Sequence, residues 1–394
     1  MVMVVGKRSA RCAALFFLLV CATVRAASAV SDGPLPNGNF EESPDKSQMD
    51  GSTVTGETAV PKWKSSGHVE YVESGQRQGD FVLAVPEGAR AVRLGNGASV
   101  QQQLAVTPGA YYSITFSAAR TCAHAQKLMV SVVPGSQAGG VIPVQTVYSS
   151  AGWDSYSWAF KAESGAVAFV IRNPGQEDDP TCGPIIDAVS IKTLNTPQAT
   201  QSNNLIKNGD FEEGPYISEV YQWGALVPPT NEDGEVTPLP GWKIMSYSKS
   251  VKYVGAAGFA VPRGGRAVEL VSGVETALVQ DVETVKGGSY RLEFAVGDAE
   301  QGGCAASDSP AAMEVRAYAA EGNASVPWGG AQAQGFARGS LEFTAVGPST
   351  RVVLVSSGYH TRADGSGALC GPVVDDVSLV RVSSQPQARR LLRR

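Results

Sequence analysis

Two acidic pairs and three tryptophans are the residues of this chain best suited to chemistry. In CGPIIDAVSI (182–191) and CGPVVDDVSL (370–379), one aspartate stands in the apolar phase of each strand: Asp187 with Val189 and Ile191, Asp375 with Val377 and Leu379. A carboxylate turned toward a core needs hydrogen bonds or a cation. Each half of the chain also opens with a second acid, Glu41 after NGNF and Glu212 after NGDF. If the first and last strands of a half lie together, Glu41 with Asp187 and Glu212 with Asp375 could share a structural Ca²⁺ with backbone carbonyls. The alternative is that the aspartates cap backbone amides at a turn. Spacing alone leaves both readings open.

Sugar binding asks for an aromatic face and a few polar groups. Trp63 and Trp242 recur beside a proline in both halves and read as core, as do Tyr156 and Trp158, which share the phase of Phe160. Trp153 lies in the opposite phase, and Trp223 and Trp328 occupy loops of the second half without counterparts in the first. These three are the expected ligand-binding residues. Arg90 and Arg266 recur in phase and suit a structural carboxylate better than a sugar acid.

Hydrolytic chemistry has fewer parts. His68, His124 and His360 do not correspond between the halves, and neither G-x-S-x-G nor H-E-x-x-H occurs. Acidic loops around Asp178 and Asp364 leave a polysaccharide hydrolase or lyase as the rival to binding. No catalytic residue is assigned, and the expectation is a protein that is not an enzyme.

The elements behind these residues are written twice. LPNGNFEES (35–43) returns as IKNGDFEEG (206–214), VEYV (69–72) as VKYV (251–254), and VPEGARAVRL (85–94) as VPRGGRAVEL (261–270). The middle cysteines Cys122 and Cys304 and the late cysteines Cys182 and Cys370 correspond as well, so the pairing that serves both copies is Cys122–Cys182 and Cys304–Cys370. Short runs rich in branched and aromatic residues, such as YYSITFSA and TRVVLVSS, alternate with Gly and Pro turns. The expected fold class is all-β: two tandem jelly-roll sandwiches with one disulfide each. They should span 32–193 and 205–383, joined by a polar linker at 194–204 and followed by a basic tail at 384–394.

At 394 residues the chain suits two domains, each large enough for its own core. Lys7, Arg8 and Arg11 precede a short apolar run and small residues ending at Ala29, a secretory signal over 1–29 that also removes Cys12 and Cys21. A secreted, extracellular protein without membrane insertion follows. The formal charge of −5 includes four leader cations and four tail arginines, which leaves a folded body of about −13. Nucleic acid is thereby excluded as a partner. Asn323 in NAS is the glycosylation sequon.

The succession N-G-x-F-E, P-x-W, TPGAYYSITF and a final D-x-V-S strand is similar to galactose-binding-like carbohydrate-binding modules. In those modules the first Glu and last Asp often hold structural calcium, which favours Ca²⁺ at Glu41, Asp187, Glu212 and Asp375, with no other cofactor required. With the signal, the tandem copies and C-G-P-[IV]-[IV]-D-x-V-S closing each, the chain resembles over about residues 32–383 the secreted plant cell-wall family called domain of unknown function 642. The resemblance implies a non-enzymatic apoplastic wall protein that binds wall components, cellulose or pectin, and modulates pectin methylesterase. A polysaccharide binder without an enzyme partner is the alternative. The acidic body favours a basic methylesterase over de-esterified pectin.

Overall fold

The computed structural model describes residues 29–78, 81–122, 125–137, 139–175, 179, 182–196, 203–220, 222–230, 236–300, 303–304, 313–329 and 335–382. The leader, His124, Asp178, most of the linker and the tail lie outside them. No helix among the described residues is long and apolar enough to cross a membrane.

Each half is a sandwich of two antiparallel sheets, and the main strands of the two halves correspond. In the first, one sheet runs Val69–Glu73, Arg90–Leu94, Ile185–Leu194, Tyr111–Ala119, Trp153–Lys161. In the second, the matching order is Val251–Gly255, Arg266–Glu269, Pro372–Arg381, Ser289–Asp298, Ala337–Thr344. A five-stranded sheet closes each sandwich. Alternation sets the inner faces: Val167, Phe169 and Ile171 are buried, while Ala166 faces solvent. Burial of such side chains contributes roughly 1.5–3 kcal/mol each.

Trp63 and Trp242 are buried in the two cores, and each indole N–H donates to the carbonyl of the preceding motif, Asn37 O and Asn208 O. Tyr156, Trp158 and Phe160 are core residues as expected. The disulfides are Cys122–Cys182 and Cys304–Cys370, the pairing that the duplication requires. Arg90 donates to Glu41 O and Ser43 Oγ, so it serves the framework.

One short strand makes the two sandwiches continuous. Ala225–Val227 pairs in parallel with Trp153–Lys161 through Tyr156 and Leu226, and antiparallel with Val251–Gly255. An exposed strand edge in each half is thereby paired. The joined sheet has fourteen strands among the described residues.

Candidate functional site

The four carboxylates expected to hold calcium are occupied by backbone amides. Asp187 accepts from Glu87 N at 2.7 Å and from its neighbour Ala188 N at 2.7 Å; Asp375 accepts from Arg263 N at 2.8 Å and Asp376 N at 2.6 Å. Glu41 caps Ala89 N and Arg90 N, and Glu212 caps Gly265 N and Arg266 N. Backbone amides donate to these oxygens, as a buried anion needs. Among the described residues no group of three or more His, Cys, Asp or Glu is placed to hold a metal ion. These contacts are those of the amide-capping alternative.

The cause lies in the strand. Ala188 and Asp376 have φ of 51° and 48°, and the register with the neighbouring strand slips there, between Thr115 and Ser117 and between Glu293 and Ala295. A bulge residue in the left-handed region leaves its N–H off the ladder, and the preceding aspartate takes it. Burial raises both carboxyls, Asp187 well above its ordinary range and Asp375 to about 8, against the pull of these amides.

Of the three tryptophans, two come together. Trp153 is buried, contrary to the exposure that its strand phase suggested, because it packs in a small cluster of its own sandwich with Val72, Leu83, Ala91, Ala119 and Ile185. Trp223 packs edge-on against it with ring centroids 5.2 Å apart and an interplanar angle of 86°, and stays 48% exposed. Trp328 is no platform: its ring belongs to the second core and its indole donates to Gly335 O at 3.0 Å. His68 lies 3.6 Å from Glu70, and His360 is half-buried, its pKa lowered by that burial. Neither contributes to the groove.

The Trp153–Trp223 pair lies between two hollows of a groove that crosses the seam. The larger, about 550 Å³, is lined by Trp153, Asp154, Trp223, Lys252, Phe259 and Glu300, with Arg362 and Asp364 also on its wall. The smaller, about 190 Å³, shares Trp153, Ser155, Trp223 and Gly224 and adds Thr115, Glu87 and Tyr216. Both sandwiches and the joining segment contribute.

The floor of the larger hollow is charged. Lys252, 8% exposed, lies with its ammonium 4.0 Å from Glu269 Oε2 and 4.8 Å over the Phe259 ring. Glu269 is fully buried; Gly371 N donates to its Oε1, and burial pushes it up to about 7 against the pull of Lys252. Asp154 faces Lys252 from the other domain at 5% exposure, its Oδ2 buried without a hydrogen-bond partner, and burial pushes it up to about 8. Arg362 Nε pairs with Glu300 at 2.9 Å and with Asp364 at 3.6 Å. Sequence reasoning missed Asp154, Lys252, Glu269 and Arg362. A signal existed: VEYV against VKYV and ARAVRL against GRAVEL exchange Glu70 for Lys252 and Arg93 for Glu269, a reversed ion pair.

The family model described as "Protein of unknown function (DUF642)" matches residues 33–192 and 204–380. The chain belongs to the DUF642 family. Protein DUF642 L-galactono-1,4-lactone-responsive gene 1 of Arabidopsis thaliana is 52% identical, over 93% of this chain and 96% of its own length. Protein TEEBE of the same plant is 44% identical over 88% and 90%. Among solved structures, the CBM22-1–CBM22-2 tandem domain of Paenibacillus barcinonensis Xyn10C aligns with 90% of this DUF642 chain and 100% of its own, at 12% identity and a TM-score of 0.27. TmCBM61 in complex with β-1,4-galactotriose aligns with 41% of this chain and 99% of its own, at 17% identity and a TM-score of 0.29.

Proposed function

We propose that this DUF642 protein is a secreted, non-catalytic protein of the plant cell wall that holds a segment of wall polysaccharide in the groove between its two sandwiches. The observation that carries the reading is the Trp153–Trp223 contact, which sets an exposed indole between two polar hollows. Such an aromatic suits the C–H face of a pyranose, and the flanking hydroxyls and amides suit its polar edge. Retention of the mature protein on cellulose and on pectins of graded esterification tests it. Trp223→Ala should lower retention at least about tenfold while the thermal melt stays in place. Product release from any of these polymers would replace binding with the hydrolase or lyase reading.

A second reading, modulation of pectin methylesterase, is favoured by the acidic body of the chain, near about −13 without leader and tail. Salt-sensitive capture of a basic methylesterase with a changed rate would support it; capture indifferent to salt, or an unchanged rate, would remove it. Asn323 is exposed on the strand Gly322–Trp328, where a glycan would meet no packed neighbour. A mass shift on enzymatic deglycosylation checks that modification.

A further inference from the structure

The groove reading leaves open how the larger hollow distinguishes one saccharide from another. We infer that Asp154 is its specificity-determining residue: its carboxyl group accepts a hydroxyl of an uncharged saccharide, and the hollow disfavours sugars that carry a carboxylate. The inference rests on the groove reading and deepens it.

Three observations carry it. First, Asp154 lines the hollow at 5% exposure, yet its Oδ2 has no hydrogen-bond partner. A buried acceptor left unmet is costly, and a ligand hydroxyl supplies the missing donor. Second, the two cations of the hollow already face carboxylates of the protein. Lys252 stands against Glu269, and Arg362 against Glu300 and Asp364. A uronate would have to displace one of these acids to gain a cation, whereas a hydroxyl displaces none. Third, the carboxylate is not part of the repeated framework. Asp154 pairs with Ala118 in its sheet, and the matching place in the second sandwich, opposite Val296, is held by Ala337. The sandwich closes with a methyl there, so the acid in the first copy answers to the seam.

Hydroxyl recognition discriminates strongly when the protein group would otherwise stay unpaired. The test is calorimetric titration of the full mature chain with uncharged β-1,4-linked gluco-, xylo- and galacto-oligosaccharides and with oligogalacturonides of the same length. An uncharged oligosaccharide should bind at least about tenfold more tightly than the galacturonide, with the gap widening at low salt. Asp154→Ala should weaken the uncharged ligand about tenfold or more. Asp154→Asn, which keeps the volume and an acceptor oxygen, should weaken it less than Asp154→Ala does.

Equal affinity for the galacturonide, with mutual displacement from the groove, would overturn the inference and leave the groove reading intact. So would unchanged affinity in both Asp154 variants, or a lysine-bearing peptide displacing the saccharide. Binding of neither saccharide class, or binding indifferent to Trp223→Ala, would instead bring down the groove reading and this inference with it.

Discussion

The same buried ion pair occurs in both sandwiches with its polarity reversed, and the two versions are finished differently. In the first, the Arg93 guanidinium meets Glu70 through Nε and Nη2, and Ser52 Oγ also donates to Glu70. A small hairpin, Met49–Asp50 with Thr53–Val54, lies along that edge, where Thr53 pairs with Glu70. In the second, Lys252 and Glu269 stand 4.0 Å apart, and Glu269 Oε2 has no hydrogen-bond partner. The segment at the equivalent edge, Ala225–Val227, reaches across to the other sandwich. A forked guanidinium can saturate a carboxylate where a single ammonium cannot. The first pair is closed on itself and structural; the second is left open toward a groove. Duplication supplied the framework, and loosening one copy of a polar pair supplied the site.

The sharpest way to break this contrast is to remove one partner from the closed pair. Arg93→Ala strands Glu70 in the interior and should cost about 3–5 kcal/mol, read by denaturant unfolding of the mature protein. If it costs less than Lys252→Met, the closed and open assignments are reversed. Next come the caps common to both copies: Asp187→Ala and Asp375→Ala each free two amide donors beside a left-handed residue and should cost about 2–4 kcal/mol. The two losses should match, since the geometry does, and added calcium should rescue neither.

Lys252→Met should cost only about 1–2 kcal/mol, because the Glu269 it leaves behind already sits high enough to take up a proton near neutrality. The last effect is one of pH. Asp154 is raised in the folded state, so between about pH 4 and pH 8 the folded protein holds a proton that the unfolded chain has lost. Its contribution to stability is therefore full below about pH 4, falls as pH rises from there, and is lost once pH passes about 8. Asp154→Asn should leave the melt near pH 4 almost unchanged and raise it progressively as pH approaches about 8. An unchanged pH slope in the variant would show that the carboxyl is not held in a dry seam.

The strand fold was legible because its signals are local and occur twice. Period-two alternation put Val167, Phe169 and Ile171 on one face, which the structure turns inward, and corresponding cysteines left one pairing that serves both copies. The caps were half legible. An aspartate in an apolar phase announced an unusual need, yet whether amides or a cation met it depended on a bulge at Ala188 and Asp376 that leaves no composition signal. Trp328 shows the same limit from the other side, since a tryptophan in an apparent loop closes a strand whose face is covered.

What the sequence by itself determined is the repeat: two sandwiches, their disulfides, their core tryptophans and the Asp that each closing strand carries. All of these rest on interactions within one copy, where alternation and correspondence constrain each residue. The groove was decided by tertiary structure alone. Asp154, Trp223, Lys252 and Arg362 are far apart in the chain and meet only because Ala225–Val227 pairs with a strand from each sandwich. Pairing of that kind is carried by backbone hydrogen bonds common to every residue type, so no side-chain pattern encodes which edge the strand will choose.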